Sequence, residues 1–144
     1  AHAPCCGYAI YMPDIVWKHV VFDHDITIKM DLDGLFDKEI KIQSPVTVRK
    51  IIQGIYDFYN AEIPDEYKDY IKQNHKHNHY VGEVVEKFDD NEQAKWLELI
   101  GADYMLIPPA PHERRHWTSC SGHVRFEGLR KTDKEHVYEI CLGS

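Results

Sequence analysis

Apolar and polar positions along the chain separate it into segments of two different periods. At 48, 51, 52, 55, 56 and 59 stand Val48, Ile51, Ile52, Ile55, Tyr56 and Tyr59. Their spacing of three and four residues places them on one stripe of a 3.6-residue helix. The main helix is therefore predicted over 47–60, with Thr47 as its N-cap. Val46 before the cap and Ile51 four residues in are placed to form a hydrophobic staple. A period of two appears elsewhere: Ile26, Ile28, Met30 and Leu32 alternate with Thr27, Lys29 and Asp31, which predicts a half-buried strand. Asp33-Gly34 supplies a turn, and Ile40 and Ile42 resume the alternation to complete a hairpin.

The β-branched and aromatic run at 15–22 reads as a further strand. After the main helix, Pro64 and the acids Asp65 and Glu66 suit the start of a short helix, with Tyr67, Tyr70 and Ile71 as its apolar stripe. Residues 73–79 are polar and read as a loop, whereas 80–88 fits either strand or helix. A third helix is expected to run to Ile100, capped by Asp90 or Asn91, facing inward through Ala94, Leu97 and Ile100 and stopped by Gly101. The prolines of 106–111 make that stretch a connector. Strands at 122–129 and 135–142, joined by the polar stretch 130–134, form a second hairpin. The expected fold is α+β: an antiparallel sheet from an N-terminal and a C-terminal hairpin, with about three helices on one face. Residues 1–14 read as an arm and 15–144 as a single domain.

Composition agrees with one ordinary globular unit. The chain has 144 residues, 43% hydrophobic and 28% charged, long enough to bury about two-thirds of its unfolded surface and too apolar for general disorder. No apolar run approaches the ~20 residues of a membrane span, so a soluble, intracellular protein is expected, with no membrane partner. The net charge of −7 and the scattered basic residues argue against nucleic acid, which calls for a gathered basic face. Cys5, Cys6, Cys120 and Cys141 have no disulfide-framework spacing, and free thiols are expected in a reducing compartment.

Val46-Thr47-Val48-Arg49, the run 55–60 (Ile-Tyr-Asp-Phe-Tyr-Asn), Phe126-Glu127-Gly128-Leu129 and the closing run 138–144 carry a resemblance. Together they resemble a small domain of unknown function found in proteins of giant DNA viruses and, in divergent form, in fungi. The resemblance spans a strand of the first hairpin, the main helix and the last hairpin. It implies an α+β domain whose shared residues are structural, with no catalytic residue, and a setting in the host cytoplasm or the virion. The histidine-rich loop and the proline connector have no counterpart in it. The residues themselves agree with a structural role: Phe126 and Leu129 are core anchors, Gly128 suits a bulge, and Glu127 is placed to pair with Arg125 or Arg130.

Several clusters carry residue types that can do chemistry. His112, His116, Cys120 and His123 are spaced four, four and three apart, and imidazole and thiolate are the ligands zinc prefers. No single regular period aims all four at one point, so ordinary loop and strand residues compete with a zinc site there. His75, His77 and His79 alternate in a polar loop, and His19, Asp23, His24 and Asp25 cluster near a strand end; solvated turns account for both as well as metal or acid–base sets do. Ser119, Cys120 and His123 include nucleophile types, but no nucleophile elbow, phosphate-cradling glycine loop or dinucleotide fingerprint is present.

Tyr56, Phe58, Tyr59, Tyr67, Tyr70 and Tyr80 exceed what one helical stripe buries. They serve either a protein contact surface or a second packing face against the helix ending at Ile100. The functional expectation is a non-catalytic interaction or structural module, a virion or host-interaction component where the resemblance holds, with a protein partner or self-association and no cofactor. The alternative is a small metal-binding protein or metal-dependent enzyme using the 112–123 cluster. An RNA-binding module stacking bases on the aromatics would need a basic groove this composition does not offer.

Overall fold

In the computed structural model, residues 13–76, 78–102, 104–106 and 123–143 are described, the strand at 104–106 and position 123 by backbone alone. The chain opens with helix α1 (Asp14–Trp17) and strand β1 (Val20–Phe22). β2 (Ile26–Lys29) and β3 (Glu39–Ile42) form the expected antiparallel hairpin, with Ile28 opposite Ile40. β4 (Val46–Thr47) leads straight into α2 (Val48–Asn60). A 3-10 turn (Asp65–Tyr67) precedes α3 (Lys68–Gln73), followed by α4 (His79–Asp89) and a second 3-10 helix (Trp96–Ile100). β5 (Tyr104–Leu106), β6 (His123–Lys131) and β7 (Val137–Gly143) complete the order.

Local chemistry accounts for the main helix as its sequence predicts. The Thr47 hydroxyl accepts the Lys50 N–H at 3.2 Å, and Ile51, Ile52, Ile55 and Tyr59 are buried, while Val48 and Tyr56 are half-buried at the stripe's margin. Gly54 lets α2 come close to β3: a Cβ there would stand 3.3 Å from Ile40 Cδ1. Tyr59 is fully buried, and its hydroxyl donates to the Asp31 carbonyl at 2.8 Å while accepting the Asp31 N–H at 2.9 Å. The main helix is thereby tied to the loop that ends β2.

The two hairpins meet in one five-stranded sheet of order β3-β2-β7-β6-β5. Both hairpins are antiparallel, but β2 joins β7 in parallel, as β5 joins β6, so the sheet is mixed where an antiparallel one was expected. Ile26, Ile28, Ile42, Val124 and Ile140 turn into the core with the helices. Lys29, Glu39, Lys41, Arg125 and Arg130, at the alternating positions, are exposed on the other face. Between Phe126 and Gly128 the register shifts, and Gly128 takes φ +139, the bulge its position suggested.

Four expectations change. Residues 14–17 are a helical turn and not part of a strand: Pro13, with φ −59, starts it, and the Lys18 N–H returns to the Asp14 carbonyl at 3.0 Å. The boundary drawn between arm and domain at 14 thus falls inside α1. The ambiguous stretch 80–88 is helix, because Asn78 caps α4 by accepting the Val81 N–H at 2.9 Å. The third helix begins only at Trp96, with Lys95 and not Asp90 or Asn91 at its N-cap. Residues 94–96 are instead bonded to 61–63, with Ile63 N–H bonded to the Ala94 carbonyl at 2.8 Å and Trp96 N–H to the Ala61 carbonyl at 3.2 Å. Gly101 stops the turn in the left-handed conformation, φ +81, as its position predicts.

Candidate contact surface

The aromatic surplus resolves into packing. Trp96 is the centre: Phe58 stacks on it with centroids 5.7 Å apart, and Tyr67 and Phe36 meet it edge-on at 5.2 and 5.6 Å. Tyr70 lies against Phe36 at 5.0 Å. Lys38 closes the cluster, its ammonium donating to the Tyr67 hydroxyl at 2.8 Å and lying 5.6 Å from the Trp96 ring centre. These contacts realise the packing alternative for Phe58 and Tyr67, and only Tyr70 and Tyr80 keep substantial exposure.

Among the described residues, a different stretch is exposed. Ile15 is 81% exposed, Val16 39%, Val20 47% and Val21 41%. Among the described residues these are four of six exposed large hydrophobics, and all four fall between 15 and 21 on α1 and β1. Trp17, between them, is buried at 4% exposure, and α1 packs against α2. β1 pairs antiparallel with β4 in a sheet of two strands, separate from the main sheet. Around the patch, Asp14 and Lys18 form an ion pair at 2.9 Å one helical turn apart. Sequence reasoning assigned this run to a strand and attached no function to it; its signal was an apolar series that never alternates with charge.

Among the described residues, several members of the titratable clusters are engaged in local contacts. Asp25 accepts the Ser44 N–H at 2.7 Å, and that bond holds its carboxyl below the ordinary value. The His24 ring lies on the His136 ring with centroids 3.7 Å apart, joining the β1–β2 turn to the β6–β7 turn. His75 bonds the Lys72 carbonyl at 2.8 Å, and His79 pairs with Glu83 at 2.9 Å. His77, His112, His116 and Cys120 lie outside the described residues, as does the His123 side chain. Cys5 and Cys6 do as well, and Cys141 is a half-buried free thiol on β7. Among the described residues no group of three or more His, Cys, Asp or Glu is arranged to hold a metal ion.

A hollow of about 250 Å³ is lined mainly by Tyr80, Ile100, Val124 and Leu142, with Asp31 and Asp33 at its border, and two larger ones are lined by charge. One of about 710 Å³ contains Lys29, Glu39, Arg130 and Glu139, which the strand register places in a row of alternating sign across β3, β2, β7 and β6. Arg130 pairs with Glu139 in that row, which raises its pKa further, and the Glu127 carboxyl lies over Gly143. A second, of about 620 Å³, is bordered by Glu83, Glu86, Asp90, Glu92 and Glu98, with Lys87 paired to Glu98. Small-molecule sites are mostly apolar with a few convergent polar groups, and neither of the larger hollows has that character. Among the described residues, no helix is long and apolar enough to cross a membrane. No protein-family model, curated protein or solved structure matches the chain.

Proposed function

We propose that this chain is a non-catalytic module that works by protein contact, and that α1 and β1 form the contact face. The observation that carries this reading is the concentration of Ile15, Val16, Val20 and Val21 in one exposed stretch. Soluble chains seldom leave contiguous apolar surface uncovered unless it meets another molecule. The polar groups whose titration is shifted serve the scaffold: Asp25 fastens the Ser44 turn, Tyr59 fastens α2 to Asp31, and Arg130 pairs across the sheet. The resemblance to domains of giant-virus proteins supplies a setting for such a module, as a component of a virion or of its contact with a host.

The test compares the wild-type chain, immobilised in a native cell extract, with Ile15→Lys and Val21→Lys. A partner retained by the wild type and lost from both variants is the expected result. Equal retention by all three removes this face from the function.

A further inference from the structure

We infer that His24 and His136 form a proton-sensitive latch between the two hairpins, closed while the rings are neutral and opened when both take up a proton. The inference is independent of the contact reading above. The His24 ring, from the turn between β1 and β2, lies on the His136 ring, from the turn between β6 and β7. Their centroids are 3.7 Å apart and their planes are inclined at 33°. Phe22 extends the cluster, 5.4 Å from His24 and 5.0 Å from Tyr138. Neutral imidazoles so arranged pack as other aromatic rings do. Imidazole is also the side chain whose charge ordinarily changes between pH 5 and 8. Two imidazolium ions in the same place are like charges at contact distance, and attraction turns to repulsion.

The charged groups beside the pair leave that repulsion in place. Next to His24 is Asp25, whose carboxylate already accepts the Ser44 N–H at 2.7 Å and has Lys50 of α2 nearby. The His24 Nδ1 lies 3.2 Å from the Asp25 backbone carbonyl. Next to His136 is Glu135, 3.4 Å from Nε2 and 87% exposed. One carboxylate per ring eases a first proton onto either, but a second proton still sets two cations face to face. The latch stands where the hairpins join: the Thr27 N–H bonds the His136 carbonyl at 2.9 Å, just before β2 and β7 run in parallel from Thr27 beside Val137. His136 itself takes φ +61, uncommon for a residue with a Cβ, and such a conformation is held by the contacts around it.

Hydrogen exchange at the Thr27 amide, measured on the full chain at pH 7.5 and 5.0, tests this in the wild type, His24→Gln and His136→Asn. Asparagine tolerates the left-handed backbone at 136. Corrected for the intrinsic pH dependence of exchange, wild-type protection is expected to fall about fivefold on acidification, the factor for two unit charges 4 Å apart in bulk water. In either variant it should stay nearly constant. The chain's other histidines titrate alike in all three proteins, so the difference isolates the pair. A wild type that keeps its protection at pH 5.0 overturns the inference, and so does an equal fall in either variant, since one histidine then suffices. Should a substitution unfold the chain, the wild type remains decisive through the imidazole signals in NMR. The two rings are expected to take up their protons in two separate steps, and two independent one-proton curves overturn the latch.

Discussion

Replacing Tyr59 with Phe removes one oxygen from the best-defined polar contact in the interior. That hydroxyl accepts from the Asp31 N–H at 2.9 Å and donates to the Asp31 carbonyl at 2.8 Å. Each such bond contributes about 0.5–1.5 kcal/mol net, and an unpaired buried partner costs more. Asp31 itself is exposed, so water reaches part of what the phenol vacates, and the expected loss is about 1–2 kcal/mol. For a chain of this size that lowers the melting temperature by about 3–7 °C. The same group predicts an alkaline signature. Burial, above all, pushes the Tyr59 pKa up from its ordinary 10.0, with the Asp31 carboxylate adding to the rise and the Asp31 backbone bond opposing it. A raised folded-state value means that the native protein keeps a proton the unfolded chain gives up. The stabilisation is complete below pH 10, the unfolded value, and is lost as pH rises through the folded value. Wild-type stability should therefore fall above pH 10 by up to about 1.4 kcal/mol per pH unit more than that of Tyr59→Phe. Urea denaturation at pH 7, 9, 10.5 and 11.5 measures both effects. Equal stability at pH 7, or a gap between the two proteins that does not narrow above pH 10, refutes the reasoning.

Gly101→Ala is expected to destabilise by about 1–2 kcal/mol through its left-handed backbone alone, since φ is +81 there. The new Cβ would also stand 2.5–2.8 Å from three carbons of the Tyr80 ring, so the cost should be smaller in a Tyr80→Ala background. Identical costs in the two backgrounds, read from thermal melts, would show that the ring contact is immaterial. Elemental analysis of the purified chain after mild chelation should find far less than one zinc per molecule if contact is the function. About one zinc per chain, lost together with stability, would instead place the function at His112, His116, Cys120 and His123.

What was legible in the sequence followed the strength of its periodic signals. α2 shows a stripe, a cap and a staple within fifteen residues, and it forms as they indicate, with Thr47 bonded to Lys50 and both Val46 and Ile51 in the core. The two hairpins follow in the same way from alternation and turn residues. Less was legible where an element is too short to repeat its period. α1 has one turn, and only Pro13-Asp14 marks it. The start of the second 3-10 helix is decided by backbone bonds from 61–63 to 94–96, which no local pattern encodes. The parallel joining of β2 to β7 sets Ile28 beside Tyr138, a pairing across most of the chain that a hairpin-by-hairpin reading does not reach.

The contact face was the least legible feature, for a physical reason. An apolar residue looks the same in a sequence whether the fold covers it or leaves it bare, so a surplus can be counted but not located. Here the count drew attention to the tyrosines and Phe58 around the main helix. Yet much of that aromatic area is consumed inside, because Trp96 offers a large flat surface to Phe58, Phe36 and Tyr67 at once. α1 packs against α2, with Trp17 buried, and among the described strands β1 pairs with the two residues of β4. The exposed apolar side chains of the run 15–22 lie on α1 and on a strand outside the main sheet. That is also where adding a second surface would disturb the existing core least, since covering Ile15 and Val21 requires no interior residue to move.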